Sequence, residues 1–306
     1  MAAVLPQTKF APARVRAGEA ERITTPPISF WKDAWRRFRA NPLAVLGLVM
    51  LAVIAVAAIV GPELTPYSYS DQSLLNRDKP PSAEHWFGTD NLGRDLFTRV
   101  LFGARISLTV AVAGGVMQGI IGVVYGAVAG LRGGTTDNFM MRIVDIIDTI
   151  PLTLYVILLM VVMGPGMKSI LIAIGITYWT RMARLVRAQV LSLKEQEFML
   201  AARALGASMS RLIWRHLVPN TVGPIIVALT FEIPSVIFTE AFLSYIGLGV
   251  SAPMASWGVL ASEGVRSFRS YPWQMTFPAL AIVITMLSFN FVGDGLRDAL
   301  DPKLRR

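Results

Sequence analysis

The sequence of 306 residues contains no cysteine, two histidines and few charged residues. The absence of cysteine excludes disulfide bonds, thiolate metal sites and cysteine nucleophiles. His85 and His216 alone leave little for a metal site. Charged residues make up 16% of the chain, against about 25% in soluble domains. With 54% hydrophobic residues and a mean hydropathy of +0.53, this excludes an ordinary soluble enzyme and a disordered scaffold.

The motifs of common enzyme sites are also missing. The phosphate-binding loop of a nucleotide hydrolase ends in Gly-Lys-Ser/Thr, and the nearest segment, residues 164–169, has Met167 where that glycine is needed. Neither histidine lies in a long apolar segment, so an intramembrane nucleophile would lack its usual base. The Asp-x-Asp-x-Asp-Gly pattern of calcium loops is absent. The sequence therefore predicts neither an enzyme nor a metal site.

Long apolar segments dominate the chain. A transmembrane helix needs about 20 mostly apolar residues, and five segments of the chain meet this requirement. A sixth candidate, residues 168–190, has only a short apolar core at 170–180. The six candidate spans are 43–61, 106–131, 141–163, 168–190, 222–249 and 273–296.

The distribution of basic residues decides between five and six spans. With six spans and both termini in the cytoplasm, 21 of the 29 basic residues lie in cytoplasmic segments or at the cytoplasmic ends of spans, whereas the same count with five spans gives only 12. Because basic loops stay in the cytoplasm, we expect an all-α, six-span membrane protein, whose net charge of +9 indicates cytoplasmic loops and not a nucleic-acid partner. The predicted connecting segments are periplasmic loops at 62–105 and 250–272, a cytoplasmic loop at 191–221 and a cytoplasmic tail at 297–306.

The first 42 residues divide into two parts. Residues 1–28 are proline-containing and predict a disordered tail. Within 29–40, aromatic and small apolar residues recur at helical spacing opposite basic residues, as in a helix that lies at the membrane interface. A basic stretch that only orients the first span is the alternative. No cleavable signal peptide is expected, because the first apolar run begins too late.

Glycine and proline patterns predict how the spans pack. Gly122, Gly126 and Gly130 recur every four residues in the second span, and such a face allows close helix packing. We therefore expect this span to be central. Prolines within later spans are expected to bend them, because proline removes a backbone donor; these are Pro151, Pro234 and Pro278.

The cytoplasmic loop at 191–221 contains two predicted short helices. The first carries an apolar stripe and ends at Gly206; the second begins after Ser208 and is expected to stop at Pro219. Short helices with small residues on a basic face suggest a docking surface for a partner protein. A basic loop lying against anionic lipid is the alternative.

Carboxylates within the spans are rare and costly, and they usually face a bundle interior. Asp145 and Asp148 are interpreted as structural partners of nearby arginines, either Arg142 or Arg181 together with Arg184. Glu232 and Glu240 lie on one half of the fifth span and are candidates for a translocation path. A helix-to-helix hydrogen bond is the alternative for both.

The segment 200–206, continued to Pro219, resembles the EAA loop of ABC importer permeases, which is Glu-Ala-Ala, three residues and Gly, then nine residues to Ile-x-Leu-Pro. Ala201, Ala202, Gly206 and Pro219 match, while Leu200 replaces the glutamate. In that family the loop docks into a groove of a cytoplasmic ATPase. The resemblance therefore implies that these positions couple the spans to ATP hydrolysis elsewhere.

A second block precedes the second span and resembles the oligopeptide and dipeptide permease family, C-type subunit, as does the segment 243–302. We expect charged members of this block to pair and hold the loop as a structural clasp, with direct substrate contact as the alternative. Its signature residues are Gly88, Thr89, Asp90, Gly93, Arg94 and Asp95.

The resemblance implies a type I ABC importer transmembrane fold in a bacterial inner membrane. It also implies a second homologous permease, two cytoplasmic ATPases, a binding protein and a peptide substrate. ATP and magnesium would be bound by the ATPases, with no cofactor in this chain. Nickel, glutathione or another small solute is the alternative cargo. A secondary transporter without an ATPase is the competing mechanism, but no convincing internal repeat supports it.

Overall fold

The computed structural model describes residues 29–301. The predicted disordered tail, 1–28, and the end of the predicted cytoplasmic tail, 302–306, lie outside these residues. Within the described part, the ordered elements are helices, and the chain makes one isolated β-bridge between Thr89 and Asp95. The helices are α1 Phe30–Ala40, α2 Pro42–Leu64, α3 Leu96–Arg132, α4 Gly134–Thr149, α5 Leu152–Met163, α6 Met167–Thr177, α7 Trp179–Leu193, α8 Glu197–Ala204, α9 Met209–Arg211, α10 Val218–Tyr245, α11 Trp257–Val265 and α12 Trp273–Leu300.

Four helical stretches of residues 29–301 are long and apolar enough to cross a membrane: Pro42–Leu64, Leu96–Arg132, Met209–Tyr245 and Trp273–Leu300. The pair α4 and α5 makes a fifth if it is one span, although the two helices meet at 79°. The bend lies where the sequence predicts it, because Pro151 cannot donate the next helical hydrogen bond and α4 ends at Thr149.

Helix α3 begins at Leu96, well before the predicted start of the second span at 106. The Asp95 side chain accepts a hydrogen bond from the Thr98 N–H at 2.7 Å and so caps the helix. Arg99 and Arg105 lie within the first turns of α3. The start predicted from hydropathy falls later, because hydropathy marks where a helix enters hydrocarbon and not where the helix begins. The extra turns carry these charged residues on a rigid helix.

The glycine face of α3 packs against α7. A Cβ at Gly122 would lie 2.6 Å from Met182 Cβ, and one at Gly130 would lie 2.8 Å from Val190 Cγ1. A Cβ at Gly126 would overlap the carbonyl oxygen of Ala183. Glycine is therefore required for this close approach, and α3 lies centrally, in contact with α2, α6, α7, α10, α11 and α12.

The segment after Ser208 differs from the sequence expectation. The short helix α9 continues as a stretch of π-helix, Leu212–Leu217, which leads directly into α10. Pro219 was expected to stop a helix, but it lies in the first turn of α10. Pro219 lies two residues after the π segment, where the backbone hydrogen-bond register changes, so its missing N–H does not interrupt a regular α-helical ladder. Pro234 and Pro278 lie inside helices that are continuous on both sides.

Helix α1 carries the predicted amphipathic stripe, but its apolar residues divide into two groups. Ala34 and Phe38 are buried in a cluster with residues of α2 and α12, whereas Trp31 and Trp35 are more than half exposed. The buried side anchors α1 to the bundle. The exposed indoles remain available for a membrane interface, where tryptophan is favoured.

Candidate coupling surface and translocation site

Helix α8 and the residues that follow it carry exposed large apolar side chains. Leu205 is 89% exposed and Trp214 is 56% exposed. Gly206 follows the helix with φ +77°, a backbone conformation that only glycine adopts at little cost. Exposed large apolar side chains on one short segment are typical of an interaction surface. We call this set of exposed side chains, of which Trp214 also lines a groove between α3 and α10, the α8 platform: Phe198, Leu200, Leu205, Met209 and Trp214.

The α8 platform is anchored to the core of the bundle. Met199 is fully buried and packs in one cluster with Leu212 and Leu217 of the π segment and with residues of α3 and α7. A side chain from α8 is thus part of the same packed unit as the long helices. Because packed cores move as units and do not deform continuously, displacement of α8 is expected to move α3 and α7.

The predicted coupling residues lie on or beside this platform. Leu200, Ala201, Gly206 and Pro219 are exposed, while Ala202 is half-buried against the core cluster. No heavy atom lies within 4 Å of where a Cβ at Gly206 would be. The local fold therefore leaves Gly206 open to a partner.

The block before α3 forms a clasp of ionic hydrogen bonds. The Asp90 carboxylate accepts from Arg94 Nε at 2.7 Å and from Arg99 at 2.5 Å, and Arg99 also donates to Glu263 of α11 at 2.8 Å. The side chains of Asp90, Arg94 and Arg99 are nearly inaccessible. Sequence reasoning missed Glu263, because 164 residues separate it from Arg99 and no local spacing links them.

His85 and Asp95 form a second buried pair in the same block, with Nδ1 2.9 Å from the carboxylate. The ring of His85 stacks at 4.8 Å on Tyr67. Burial, with the carboxylates of Glu84 and Asp95, raises the pKa of Tyr67 above its ordinary value. Asp95 thus holds the loop as well as the first turn of α3.

Three signature residues shape the backbone of the block. Gly88 and Gly93 have φ +74° and +71°, and a Cβ at Gly93 would overlap the carbonyl oxygen of Ser73. The Thr89 hydroxyl accepts from Lys79 N–H at 2.8 Å and donates to the Asn76 carbonyl at 2.5 Å. The geometry is that of a structural clasp, which ties the loop at 62–95 to α3 and α11.

The two candidate path glutamates occupy different environments. Glu240 is fully buried and accepts hydrogen bonds from Ser107 at 3.1 Å and Ser244 at 2.8 Å. The Ser107 hydroxyl also accepts from the Trp257 N–H at 3.3 Å. Glu240 therefore joins α3, α10 and α11, which is the helix-to-helix alternative raised from the sequence.

Glu232 lies at the middle of α10 and is partly exposed. Its carboxylate is 3.4 Å from the guanidinium of Arg181, whose side chain is 63% exposed. Arg181 also lies over the ring of Tyr178, 5.6 Å from its centre. The Tyr178 hydroxyl contacts the Thr239 hydroxyl. The structure thus forms an open polar site, Tyr178, Arg181, Glu232, Ser235 and Thr239, which we call the Glu232 site.

Three aspartates of α4 are paired with arginines of α7. Arg184 donates to Asp148 at 2.5 Å and to Asp145 at 3.0 Å, so of the partners considered from the sequence it is Arg184 that binds both. Arg187 makes two hydrogen bonds to Asp137, at 2.5 and 2.6 Å, a pair that sequence reasoning did not find. Residues 29–301 contain no cluster of His, Asp or Glu side chains suited to a metal ion.

Two protein families match this chain. Residues 122–306 match the family described as binding-protein-dependent transport system inner membrane component, and residues 29–81 match the N-terminal TM domain of oligopeptide transport permease C. The oligopeptide transport system permease protein OppC of Bacillus subtilis is 55% identical over 99% of both chains. The chain belongs to the binding-protein-dependent transport permeases.

Other relatives agree with this membership. The dipeptide permease DppC of Bacillus subtilis is 50% identical over 99% of this chain and 95% of the relative, and OppC of Escherichia coli is 44% identical over 94% and 95%. A chain of the inward-facing MetNI methionine ABC transporter has the same fold, with a TM-score of 0.56 and 17% identity over 67% of this permease and 96% of that chain.

The family resemblance drawn from the sequence is therefore confirmed, as is the all-helical type I importer permease fold. The permease is a multi-pass component of the inner membrane. The C-terminal family match includes the α8 platform, the Glu232 site and α11, whereas the signature residues of the clasp lie between the two matched segments.

Proposed function

We propose that this permease is one membrane subunit of an ATP-driven importer of oligopeptides or dipeptides. The cargo follows from relatives that are named for oligopeptide and dipeptide transport and that match nearly the whole chain. The observation that carries the mechanism is the α8 platform, an exposed apolar surface whose buried anchor, Met199, packs with the long helices. Such a surface suits a protein partner better than a lipid headgroup.

The proposed membrane arrangement has six spans and cytoplasmic termini. Helices α6 and α7 contain 11 and 15 residues, together roughly 39 Å of helix, which suffices for a hydrocarbon core of about 30 Å. Neither α6 nor α7 is long enough to cross the membrane alone. Helices α4 and α5 likewise cross it only if they act together as one broken span. The basic residues of α7 and of the loop after it favour a cytoplasmic position for the α8 platform.

The proposed complex contains a second, homologous permease, two cytoplasmic ATPases and a peptide-binding protein outside the membrane. ATP and Mg²⁺ bind to the ATPases, and this chain contributes no ATPase site and no cofactor. Closure of the ATPases displaces α8, and the cluster around Met199 passes the displacement to α3 and α7. ATP drives this change to the extent that the ATPases bind the two permease conformations with different affinity.

The clasp has a mechanical role in this proposal. Because Arg99 binds both Asp90 and Glu263, the outer ends of α3 and α11 move together.

Leu200 occupies the position at which the family pattern has a glutamate, so docking relies on apolar contact and on the helix itself at that point.

The test is reconstitution with the products of the neighbouring genes in liposomes that contain ATP. We expect co-purification of two ATPases and a second permease, and uptake of labelled peptide that requires both ATP and the binding protein. Uptake of nickel or glutathione in place of peptide would change the cargo and leave the mechanism. Transport by this chain alone under a proton gradient would overturn the mechanism.

A further inference from the structure

The Glu232 site is unlike the other ion pairs of the inner half of the bundle. Arg187 makes two hydrogen bonds to Asp137 and Arg184 bridges two aspartates, all at 3.0 Å or less. Within residues 29–301, Arg181 makes one hydrogen bond, to Glu232 at 3.4 Å. Its side chain is 63% exposed, whereas that of Glu232 is 19% exposed. This pair is loose and open, and its two charges are free to exchange partners.

The depth of the pair constrains what it faces. Glu232 lies at the middle of α10, a helix of 28 residues that is roughly 42 Å long. A charge at that depth does not face lipid, because ionisable groups in membrane segments face a bundle interior or a water-filled cavity. The exposed guanidinium of Arg181 therefore faces a bundle interior or a water-filled cavity, and in the proposed importer that cavity is the translocation path.

Uncharged polar groups extend the pair along one face of α10. Ser235 and Thr239 follow Glu232 at helical spacing, and the Tyr178 hydroxyl lies 3.5 Å from the Ser235 carbonyl oxygen and contacts the Thr239 hydroxyl. Tyr178 lies between α6 and α7, so the site spans the junction of these helices and α10. Hydroxyl groups beside one acid and one base suit a zwitterion that also carries amide groups.

Resting on the proposed function, we propose that the Glu232 site binds the charged ends of peptides as they cross, the α-ammonium at Glu232 and the α-carboxylate at Arg181. Peptides of different sequence share their termini and main chain and little else, so a path that accepts many of them needs groups that recognise these features. A guanidinium matches a carboxylate through two parallel hydrogen bonds. The mutual pairing of Arg181 and Glu232 neutralises the site between passages.

The experiment compares three peptides in the reconstituted complex. Trialanine has both charged termini, N-acetyl-trialanine lacks the ammonium, and trialanine amide lacks the carboxylate. The variants are Glu232→Gln, which removes the charge and preserves the size of the side chain, and Arg181→Gln, which removes the charge and keeps a shorter polar side chain. The matched control is Asp145→Asn, because Asp145 is also a carboxylate paired with a partly exposed arginine. Each rate is divided by the wild-type rate for the same peptide at saturating binding protein, which cancels the selection made by that protein.

Glu232→Gln is expected to slow trialanine and its amide roughly tenfold, the effect of one charge-assisted hydrogen bond, and to leave the N-acetyl peptide near the wild-type rate. Arg181→Gln is expected to slow trialanine and the N-acetyl peptide and to spare the amide. The control changes no ratio. An equal loss for all three peptides, or no loss, overturns the assignment of termini. Absence of ATP-dependent uptake by the wild-type complex instead overturns the proposed function itself.

Discussion

Glu240 of α10 accepts a hydrogen bond at 3.1 Å from Ser107 of α3, which lies 133 residues earlier in the chain. The same serine accepts a hydrogen bond from the first residue of α11, Trp257. One buried carboxyl group and one hydroxyl group thus fix the positions of three helices. The indole of Trp257 adds a hydrogen bond at 2.9 Å to the carbonyl of Val100, which is a second link between α11 and α3.

Replacement of Glu240 by alanine is expected to destabilise the permease. The variant leaves the buried hydroxyl of Ser107 without its acceptor, which costs about 1–3 kcal/mol for an unsatisfied group, and leaves Ser244 only its longer contact with Ser256 at 3.3 Å. Thermal unfolding in detergent measures the effect as a lower melting temperature. Glu232→Ala is the control on the same helix, and its change is expected to be much smaller, because Glu232 has one long hydrogen bond. Equal effects at the two positions would contradict the distinction.

Gly126→Ala is expected to disturb the contact between α3 and α7. The new Cβ would overlap the carbonyl oxygen of Ala183, which is backbone and cannot turn away. Overpacking of this kind costs about 1–3 kcal/mol. Gly119→Ala is the matched control on the same helix, since its Cβ would lie 3.4 Å from Leu229 Cδ1, an ordinary contact. The yield of folded permease and its melting temperature distinguish the two variants, and equal values would argue against the close packing of α3 on α7.

Gly206→Val is expected to abolish uptake and to uncouple the ATPases while the permease inserts normally. The new side chain meets open space within this chain, so the loss arises at the docking surface. Gly164→Val is the matched control, because Gly164 also has a positive φ, +87°, and open space around it. Its ψ of 162° lies in a region essentially restricted to glycine, so this control tests the effect of backbone strain, but Gly164 lies on the opposite side of the membrane in the proposed arrangement. Uptake that survives Gly206→Val would remove the docking role.

Cysteine labelling decides the number of spans, because the natural chain has no cysteine. Leu205 and Leu75 are 89% and 94% exposed. A membrane-impermeant maleimide is expected to label Leu75→Cys in intact cells and Leu205→Cys only after permeabilisation. Leu75 is outside under both five and six spans and serves as the positive control. Labelling of Leu205→Cys in intact cells would favour five spans and would move the α8 platform outside.

Several features were predictable from the sequence because they depend on local chemistry. The end of α8 before Gly206, the bend at Pro151 and the close packing at Gly122, Gly126 and Gly130 each follow from what glycine and proline permit in a backbone. The start of α3 at Leu96 was not predicted. Hydropathy indicates which residues lie in lipid, and a helix can begin outside the lipid. The course of the chain at Pro219 depended on a π segment that has no simple sequence signal.

By itself, the sequence determined that this is a helical inner-membrane permease, since its composition, apolar runs and ordered family motifs are properties of the chain read in one dimension. Only the tertiary structure decided which charges meet. It placed Glu240 among serines, paired Glu232 with Arg181, and brought Glu263 to Arg99. The physical reason is that a carboxylate in a membrane helix is stabilised by partners on other helices, and the distance to those partners along the chain carries no information about their distance in space.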